Sequence, residues 1–207
     1  MRTRDIILDR IRTNRPAGQH DLPVVPDFTK PPPAEIEATF AENLKLMGGT
    51  LLPPDGSGDL LRPLREQLAG NKAVCSAVPE ITGTIALETI ELPRELATVD
   101  VAVVRAVFAV AETGSVLLTE AQLGVNALAY LAQHLVVLLD PADIIASIQH
   151  AYMRPEFHAA HYAAFHTGPS ATADIEGVLI HGAQGVRSLT VVLVPRGYRS
   201  PPATEAS

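Results

Sequence analysis

The sequence predicts an α/β protein with three layers (αβα), in which helices cover both faces of a mostly parallel β-sheet. Short, fully apolar segments such as 134-HLVVLL-139 alternate along the chain with helical patterns, which is typical of parallel strands buried on both faces. Apolar residues make up 47% of the 207 residues, enough for a sizeable core. We predict one main domain over residues 34–195, an N-terminal helix and proline-rich connector over 1–33, and a flexible tail over 196–207.

The first 33 residues are expected to lie outside the core. Residues 2–14 suit a short amphipathic helix with Ile7 and Ile11 four apart, and five arginines in residues 1–15 make this arm basic. A solvated helix packed by its isoleucines and a docking arm for an acidic partner both fit this pattern. The stretch 16–33 holds six prolines and no helical or strand period, so it is predicted to be an extended connector.

The other elements follow from apolar periodicity and from the residues that begin and end helices. Gly114 breaks the long apolar segment around it, which is therefore not one helix. The predicted helices span 34–49, 59–70, 121–132 and 141–153, and the predicted strands span 50–52, 72–77, 100–104, 115–119, 134–139, 163–167 and 188–194, with a turn or short helix between 104 and 113.

The stretch 166-HTGPSATADIEGVLIHGAQG-185 is predicted to turn out of a strand and enter a helix. Ser170 or Thr172 would cap this helix, which would carry Asp174 and Glu176 in its first turns. Open α/β sheets bind ligands at such strand ends. A phosphate site is disfavoured because two carboxylates already complement the helix dipole and the stretch holds no lysine or arginine. Capping and turn chemistry alone is the alternative explanation.

A second polar stretch, Glu112-Thr113-Gly114-Ser115, interrupts an apolar region. A glutamate held beside apolar residues has a raised pKa and could act as an acid, a base or a nucleophile, although a simple turn between buried elements gives the same pattern. The candidate site therefore has Glu112 and Asp174 as catalytic residues and Thr113, Gly114, Ser115, Gly168, Pro169, Ser170, Thr172, Glu176 and Gln184 as substrate-binding residues.

The histidines and the cysteine give weaker signals. His158 and His161, with Glu156 and His166 nearby, offer enough ligands for a divalent ion, but the spacing matches no known geometry, so no metal is predicted. Cys75 is the only cysteine, which forbids an internal disulfide and a cysteine-ligated iron–sulfur cluster. Its apolar surroundings predict a buried, unreactive thiol.

Charge and hydropathy exclude further classes of function. The formal charge of −7 and the pI near 5.4 argue against a nucleic-acid surface. No window approaches the roughly 20 apolar residues that span a bilayer, and the N-terminus lacks the apolar core of a signal peptide. We therefore expect a cytoplasmic protein without a membrane span.

Four segments resemble the LUD-domain family, which is typified by lactate-utilization protein C. They are 108-FAVAETGSVLL-118, 131–152, 168-GPSATADIE-176 and 182–194, and they stand in the order and spacing of that family over roughly residues 74–195. The run from Gly168 to Glu176 is the most specific. The resemblance implies a three-layer fold of the ribose-phosphate isomerase and CoA-transferase-like type.

The resemblance also implies a function. Family members typically accompany two iron–sulfur proteins that oxidise L-lactate to pyruvate, so this chain would be an accessory subunit, with the clusters in its partners and no cofactor of its own. The family often has arginine or lysine at Ala171 and histidine at Gln184, and both departures weigh against independent catalysis. A stand-alone enzyme acting on a small carboxylate, acyl thioester or sugar derivative, and a ligand-binding regulatory protein, remain the alternatives.

Overall fold

The computed structural model describes residues 3–16, 18, 21, 23–28, 32–71, 73–172, 180–181 and 184–201. In this part of the chain the α-helices are α1 (Thr3–Thr13), α2 (Ile36–Leu46), α3 (Arg62–Leu68), α4 (Glu120–Leu123), α5 (Leu128–Leu131), α6 (Ile148–Tyr152) and α7 (Pro155–Ala159). The strands are β1 (Thr50–Leu52), β2 (Val74–Ser76), β3 (Val101–Arg105), β4 (Ala109–Val110), β5 (Ser115–Thr119), β6 (His134–Leu139), β7 (Ile144–Ile145), β8 (Ala163–His166), β9 (Ala171–Thr172), β10 (Ile180–His181) and β11 (Ser188–Leu193).

Five parallel strands form the central sheet in the order β1-β11-β6-β3-β2. Successive side chains of a strand point to opposite faces, and β3 shows this alternation. Val101 and Val103 pack with α3 on one face, whereas Ala102 and Val104 pack with residues of α2, α4 and α5 on the other. The central sheet is therefore covered on both sides, which confirms the predicted three-layer α/β fold.

A second, four-stranded sheet in the order β7-β4-β5-β8 was not predicted. Its β4–β5 and β5–β8 pairs are antiparallel and its β4–β7 pair is parallel. One face joins the main core through Ala109 and Val116, and the other packs Phe108 and Leu117 against Ala151 of α6. The predicted turn or short helix between 104 and 113 is thus partly wrong, because β4 lies within it.

Two predicted helices are divided into shorter elements. The helix predicted over 121–132 is split into α4 and α5 at Gly124, which has a φ of 63°. The helix predicted over 141–153 is replaced by a 3₁₀ turn, β7 and α6. Ile144 pairs with Ala109 of β4, and Ser147 then begins α6 by accepting a hydrogen bond from the backbone N–H of His150. Pairing with a distant strand outweighs the local helical pattern here.

The glycine-rich stretch after β8 also differs from its prediction. Thr172 lies in β9 and pairs antiparallel with Ile180 of β10, while the backbone N–H of Ser170 donates to the carbonyl of Val186. Thr172 therefore lies in a strand pair, Ser170 is bonded to the start of the segment before β11, and residues 180 and 181 of the stretch form a strand instead of continuing a helix. Residues 173–179, which include Asp174 and Glu176, lie outside the described residues.

The N-terminal helix α1 buries none of its side chains. Ile7 is 53% exposed and Ile11 is 61% exposed, so the isoleucines do not pack α1 onto the domain. The connector that follows is fastened at Gln149 of α6, whose side chain donates to the carbonyl of Pro26 and accepts from the backbone N–H of Phe28. No helix in the described part of the chain has both the length and the apolar character needed to cross a membrane.

Candidate functional site

The turn from Glu112 to Ser115 joins β4 to β5 and packs directly on α2. Gly114 has a φ of 62°, and a Cβ atom there would lie 2.2 Å from the backbone nitrogen of Leu44. The side chain of Asn43 donates to the carbonyl of Ala111, which fastens α2 to the start of the turn. Ser115 is buried and its hydroxyl is hydrogen-bonded to that of Thr113. Glycine at position 114 is therefore required by the approach of α2.

The loop after β8 lies against this turn, as predicted. The hydroxyl of Thr167 donates to the carbonyls of Gly114 (3.0 Å) and Thr113 (3.3 Å). The turn and the loop meet because β5 and β8 pair antiparallel, which places the start of β5 beside the end of β8. Gly168 has a φ of 64°, and a Cβ atom there would lie 1.9 Å from the carbonyl oxygen of Met47. This glycine too is required by packing against the end of α2.

Glu112 faces a cleft of about 330 Å³, called here the Glu112 cleft, which is lined by Phe28, Pro33, Thr39, Asn43, Glu112, Ala146 and Ser147. Its carboxylate accepts a hydrogen bond from the backbone N–H of Ile148 at 2.9 Å, at the first residue of α6. The backbone N–H of Glu112 donates to the carbonyl of Ala146. Glu112 therefore holds α6 to the turn, besides reaching a cleft that a small ligand could enter.

The other predicted site residues do not line the Glu112 cleft in the described part of the chain. Thr172 lies in β9, and Gln184 is exposed between β10 and β11. Asp174 and Glu176 lie outside the described residues. Among the described residues, the structure thus brings together the two predicted loops but only Glu112 borders the cleft.

The histidines do not form a metal site in the part of the chain that the structure describes, where no group of three or more potential ligands is found. The ring of His158 contacts the carbonyl of Tyr152. His166 lies 5.3 Å from the ring of Tyr130, between ring centroids, and its burial lowers its pKa. Cys75 is fully buried and burial raises the pKa of its thiol, which makes it a core residue.

The sequence reasoning missed a second cleft at the carboxyl ends of the parallel strands. This strand-end cleft has a volume of about 360 Å³, and its charged and polar lining residues are Glu80, Arg105, Gln122 and Arg196. A signal was available, because a charged residue ends or follows four strands of the central sheet: Glu80 after β2, Arg105 at the end of β3, Asp140 after β6 and Arg196 after β11. Ligands of open α/β sheets bind at this edge.

Arg105, the last residue of β3, lines the strand-end cleft. Its guanidinium donates to the carboxylate of Glu80 at 2.6 Å and to the carbonyl of Val194 at 3.0 Å. The side chains of Arg105 and Glu80 are each only 15% exposed, so this ion pair is largely shielded from water. The second carboxylate oxygen of Glu80 is buried, and no hydrogen-bond partner for it is found among the described residues.

Arg196 joins the strand-end cleft to the loop after β6. Its side chain donates to Asp143 at 2.8 Å and to the carbonyl of Val107 at 2.9 Å. Its backbone N–H donates to Asp140 at 2.6 Å, and this hydrogen bond lowers the pKa of the Asp140 carboxyl. Tyr198 further along accepts from the backbone N–H of Leu60. The first residues of the predicted flexible tail thus contact the domain and form one wall of the cleft.

Comparison with known proteins agrees with this architecture. The LUD domain matches residues 56–194, which is well over half of the chain. The structure is similar to the crystal structure of a DUF162 family protein from Deinococcus radiodurans, with a TM-score of 0.58, 17% sequence identity, and coverage of 77% of this chain and 96% of that one. A comparison with curated proteins finds no match. From the extent of the domain match, supported by the shared fold, this chain belongs to the LUD domain family.

Proposed function

We propose that this chain is an accessory subunit of a system that oxidises L-lactate to pyruvate beside two iron–sulfur cluster proteins. The match of the LUD domain to residues 56–194 carries the proposal, because the family is associated with lactate utilization. Each lactate oxidised to pyruvate releases two electrons and two protons. A cysteine-ligated cluster needs about four thiolates, so the electrons would pass to clusters in the partner proteins. The single, fully buried Cys75 is in keeping with that division of roles.

The N-terminal helix α1 is the proposed contact for one partner. Its exposed isoleucines leave an apolar stripe uncovered, and Arg10 and Arg12 give it basic character. An isolated helix of 11 residues is marginal in water, and packing of its apolar face is what stabilises a helix of this length. A partner surface with an apolar groove and acidic margins would supply that packing.

Anaerobic purification of the tagged protein from its own host tests the proposal. We expect two cysteine-rich proteins in the eluate together with the broad visible absorption of iron–sulfur clusters. The double substitution Ile7→Asp with Ile11→Asp should reduce partner recovery by at least about tenfold, because two charges would replace the apolar stripe. Leu46→Asp is the matched control, since Leu46 is also exposed (81%) but lies on α2. A colourless eluate without partners would contradict the proposal.

The Glu112 cleft is the observation that favours a stand-alone enzyme. In that case the isolated chain would turn over a small carboxylate, acyl thioester or sugar derivative with Glu112 as acid, base or nucleophile. Glu112→Gln is the sharp test, because its amide oxygen can still accept from the N–H of Ile148 and preserve the fold. If the chain is an accessory subunit, we expect the isolated chain to show no turnover. The complex that contains Glu112→Gln should then oxidise lactate at a rate within about twofold of that of the complex with the unsubstituted chain. Turnover by the isolated chain that this substitution abolishes would favour the enzyme instead.

A further inference from the structure

The strand-end cleft is placed and sized for a small molecule. It lies at the carboxyl ends of parallel strands, between residues that follow β2, residues at the end of β3 and residues that follow β11. Its volume of about 360 Å³ falls at the lower end of the range for ligand pockets. Each of these strands belongs to the central parallel sheet, so the groups that line the cleft are held by regular secondary structure.

Two arginines supply hydrogen-bond donors for a carboxylate. A guanidinium has five N–H groups, and Arg105 uses two of its nitrogens in hydrogen bonds to Glu80 and to the carbonyl of Val194. Arg105 has further N–H groups, and Arg196, whose guanidinium also donates to Asp143 and to the carbonyl of Val107, lines the same cleft with a side chain that is 54% exposed. Arginine is well suited to carboxylates because its planar fork can donate two parallel hydrogen bonds.

Glu80 supplies an acceptor beside those donors. One of its oxygens holds Arg105, while the other is buried without a hydrogen-bond partner among the described residues. A buried carboxylate oxygen that lacks a donor is unfavourable, so a ligand that brought a donor would relieve this cost. The terminal torsion of a glutamate is soft, so the carboxylate of Glu80 can turn when a ligand binds beside it.

The charges around the cleft restrict the ligand further. Arg105 and Arg196 face three carboxylates, those of Glu80, Asp140 and Asp143. A phosphate or a dicarboxylate would bring two negative charges to a region in which acidic groups already outnumber basic ones, whereas a monocarboxylate brings only one, which an ammonium group on the same ligand would offset. We therefore propose that the strand-end cleft binds a small monocarboxylate that also carries a hydroxyl or ammonium group, with the carboxylate at the arginines and the donor group at Glu80.

Calorimetric titration of the purified chain with three probes of equal carbon skeleton tests this inference: propionate, L-lactate and L-alanine. We expect L-lactate or L-alanine to bind at least about tenfold more tightly than propionate, because only these two can donate to Glu80. Tighter binding of lactate would identify a hydroxy acid as the ligand, and tighter binding of alanine an amino acid. Equal affinity for all three probes, or no binding by any of them, would overturn the proposal.

The substitution Glu80→Gln locates the preference in this cleft. The amide oxygen of glutamine can accept from Arg105, but its NH₂ group then replaces the acceptor that the ligand needs. We expect the preference over propionate to fall to about twofold or less, and to be unchanged in Glu37→Gln, which makes the same chemical change at an exposed position in α2. A preference that survives Glu80→Gln would refute the assignment of Glu80.

A second measurement uses the unsubstituted protein and so does not depend on the folding of a variant. Phenylglyoxal modifies accessible arginines, and Arg196 and Arg62 are almost equally exposed, at 54% and 52%. The ligand that binds tightest should slow modification of Arg196 several-fold and leave Arg62 unaffected. Equal rates at Arg196 with and without that ligand would overturn the proposal.

Ligand binding in the strand-end cleft does not depend on the proposed iron–sulfur partners. Binding by the isolated chain with no partners in the purification would leave the cleft assigned and remove the accessory function. Recovery of the iron–sulfur partners, with no binding of the three probes by the isolated chain, would support the accessory function and remove the assignment of the cleft.

Discussion

Replacing Gly168 by alanine should lower the free energy of unfolding by about 4 kcal/mol. Gly168 has a φ of 64°, in the left-handed region where a residue with a side chain loses about 1–2 kcal/mol. The new Cβ atom would also lie 1.9 Å from the carbonyl oxygen of Met47, so the loop and the end of α2 must separate. Overpacking of this kind costs up to about 3 kcal/mol. Urea unfolding followed by far-UV circular dichroism measures the sum.

Gly56→Ala is the matched control for this prediction. Gly56 has a φ of 80°, but no atom lies within 4 Å of a Cβ built there. Gly56→Ala therefore measures only the cost of placing a side chain on a left-handed backbone, and we expect it to lower the free energy of unfolding by about 1 kcal/mol. Gly114→Ala should resemble Gly168→Ala, because its Cβ atom would lie 2.2 Å from the backbone nitrogen of Leu44. Similar losses at positions 56 and 168 would show that α2 does not pack on the loop as described.

Replacing Arg105 by methionine should destabilise the protein by about 3–5 kcal/mol. The substitution removes the hydrogen bonds to Glu80 and to the carbonyl of Val194. The carboxylate of Glu80, which is 15% exposed, would then be left without its cationic partner. An uncompensated charge in such a position is strongly unfavourable, because desolvation is no longer offset by the ion pair. The same urea titration measures the effect.

Two further variants show whether the buried charge is the cause. In Arg62→Met the loss should stay below about 1 kcal/mol, since Arg62 also pairs with a carboxylate (Asp55) but is 52% exposed. In the double variant Arg105→Met with Glu80→Leu, most of the lost stability should return, because neither charge remains buried. A double variant as unstable as Arg105→Met alone would instead assign the loss to packing or to the bond with Val194.

The candidate site was predictable in part. The turn at Glu112–Ser115 and the loop after Thr167 were expected to meet, and they do so through the hydroxyl of Thr167. They meet because β5 and β8 pair antiparallel, and this pairing is not visible in either segment by itself. The strand-end cleft was missed because Glu80 and Arg105 are 25 residues apart and form no local motif. Their ion pair depends on the parallel pairing of β2 with β3.

The sequence by itself determined the class of the fold and several elements. Strands β1, β5 and β6 begin and end where the sequence predicts. β5 and β6 are buried almost throughout, and a strand buried on both faces has a continuous apolar sequence bounded by polar or turn residues. The LUD domain assignment likewise follows from ordered local segments. Such signals are local, so they can be read without knowledge of which segments will meet.

Tertiary structure alone decided the second sheet, the hairpin of β9 with β10, and the charged lining of the strand-end cleft. In each case a short segment has little intrinsic preference, and its conformation is chosen by the partner with which it forms hydrogen bonds. Ile144 and Ile145 suit the middle of a helix equally well, and they form a strand because β4 lies beside them. Contacts between residues far apart in the chain supply that choice, and no window of the sequence contains both partners.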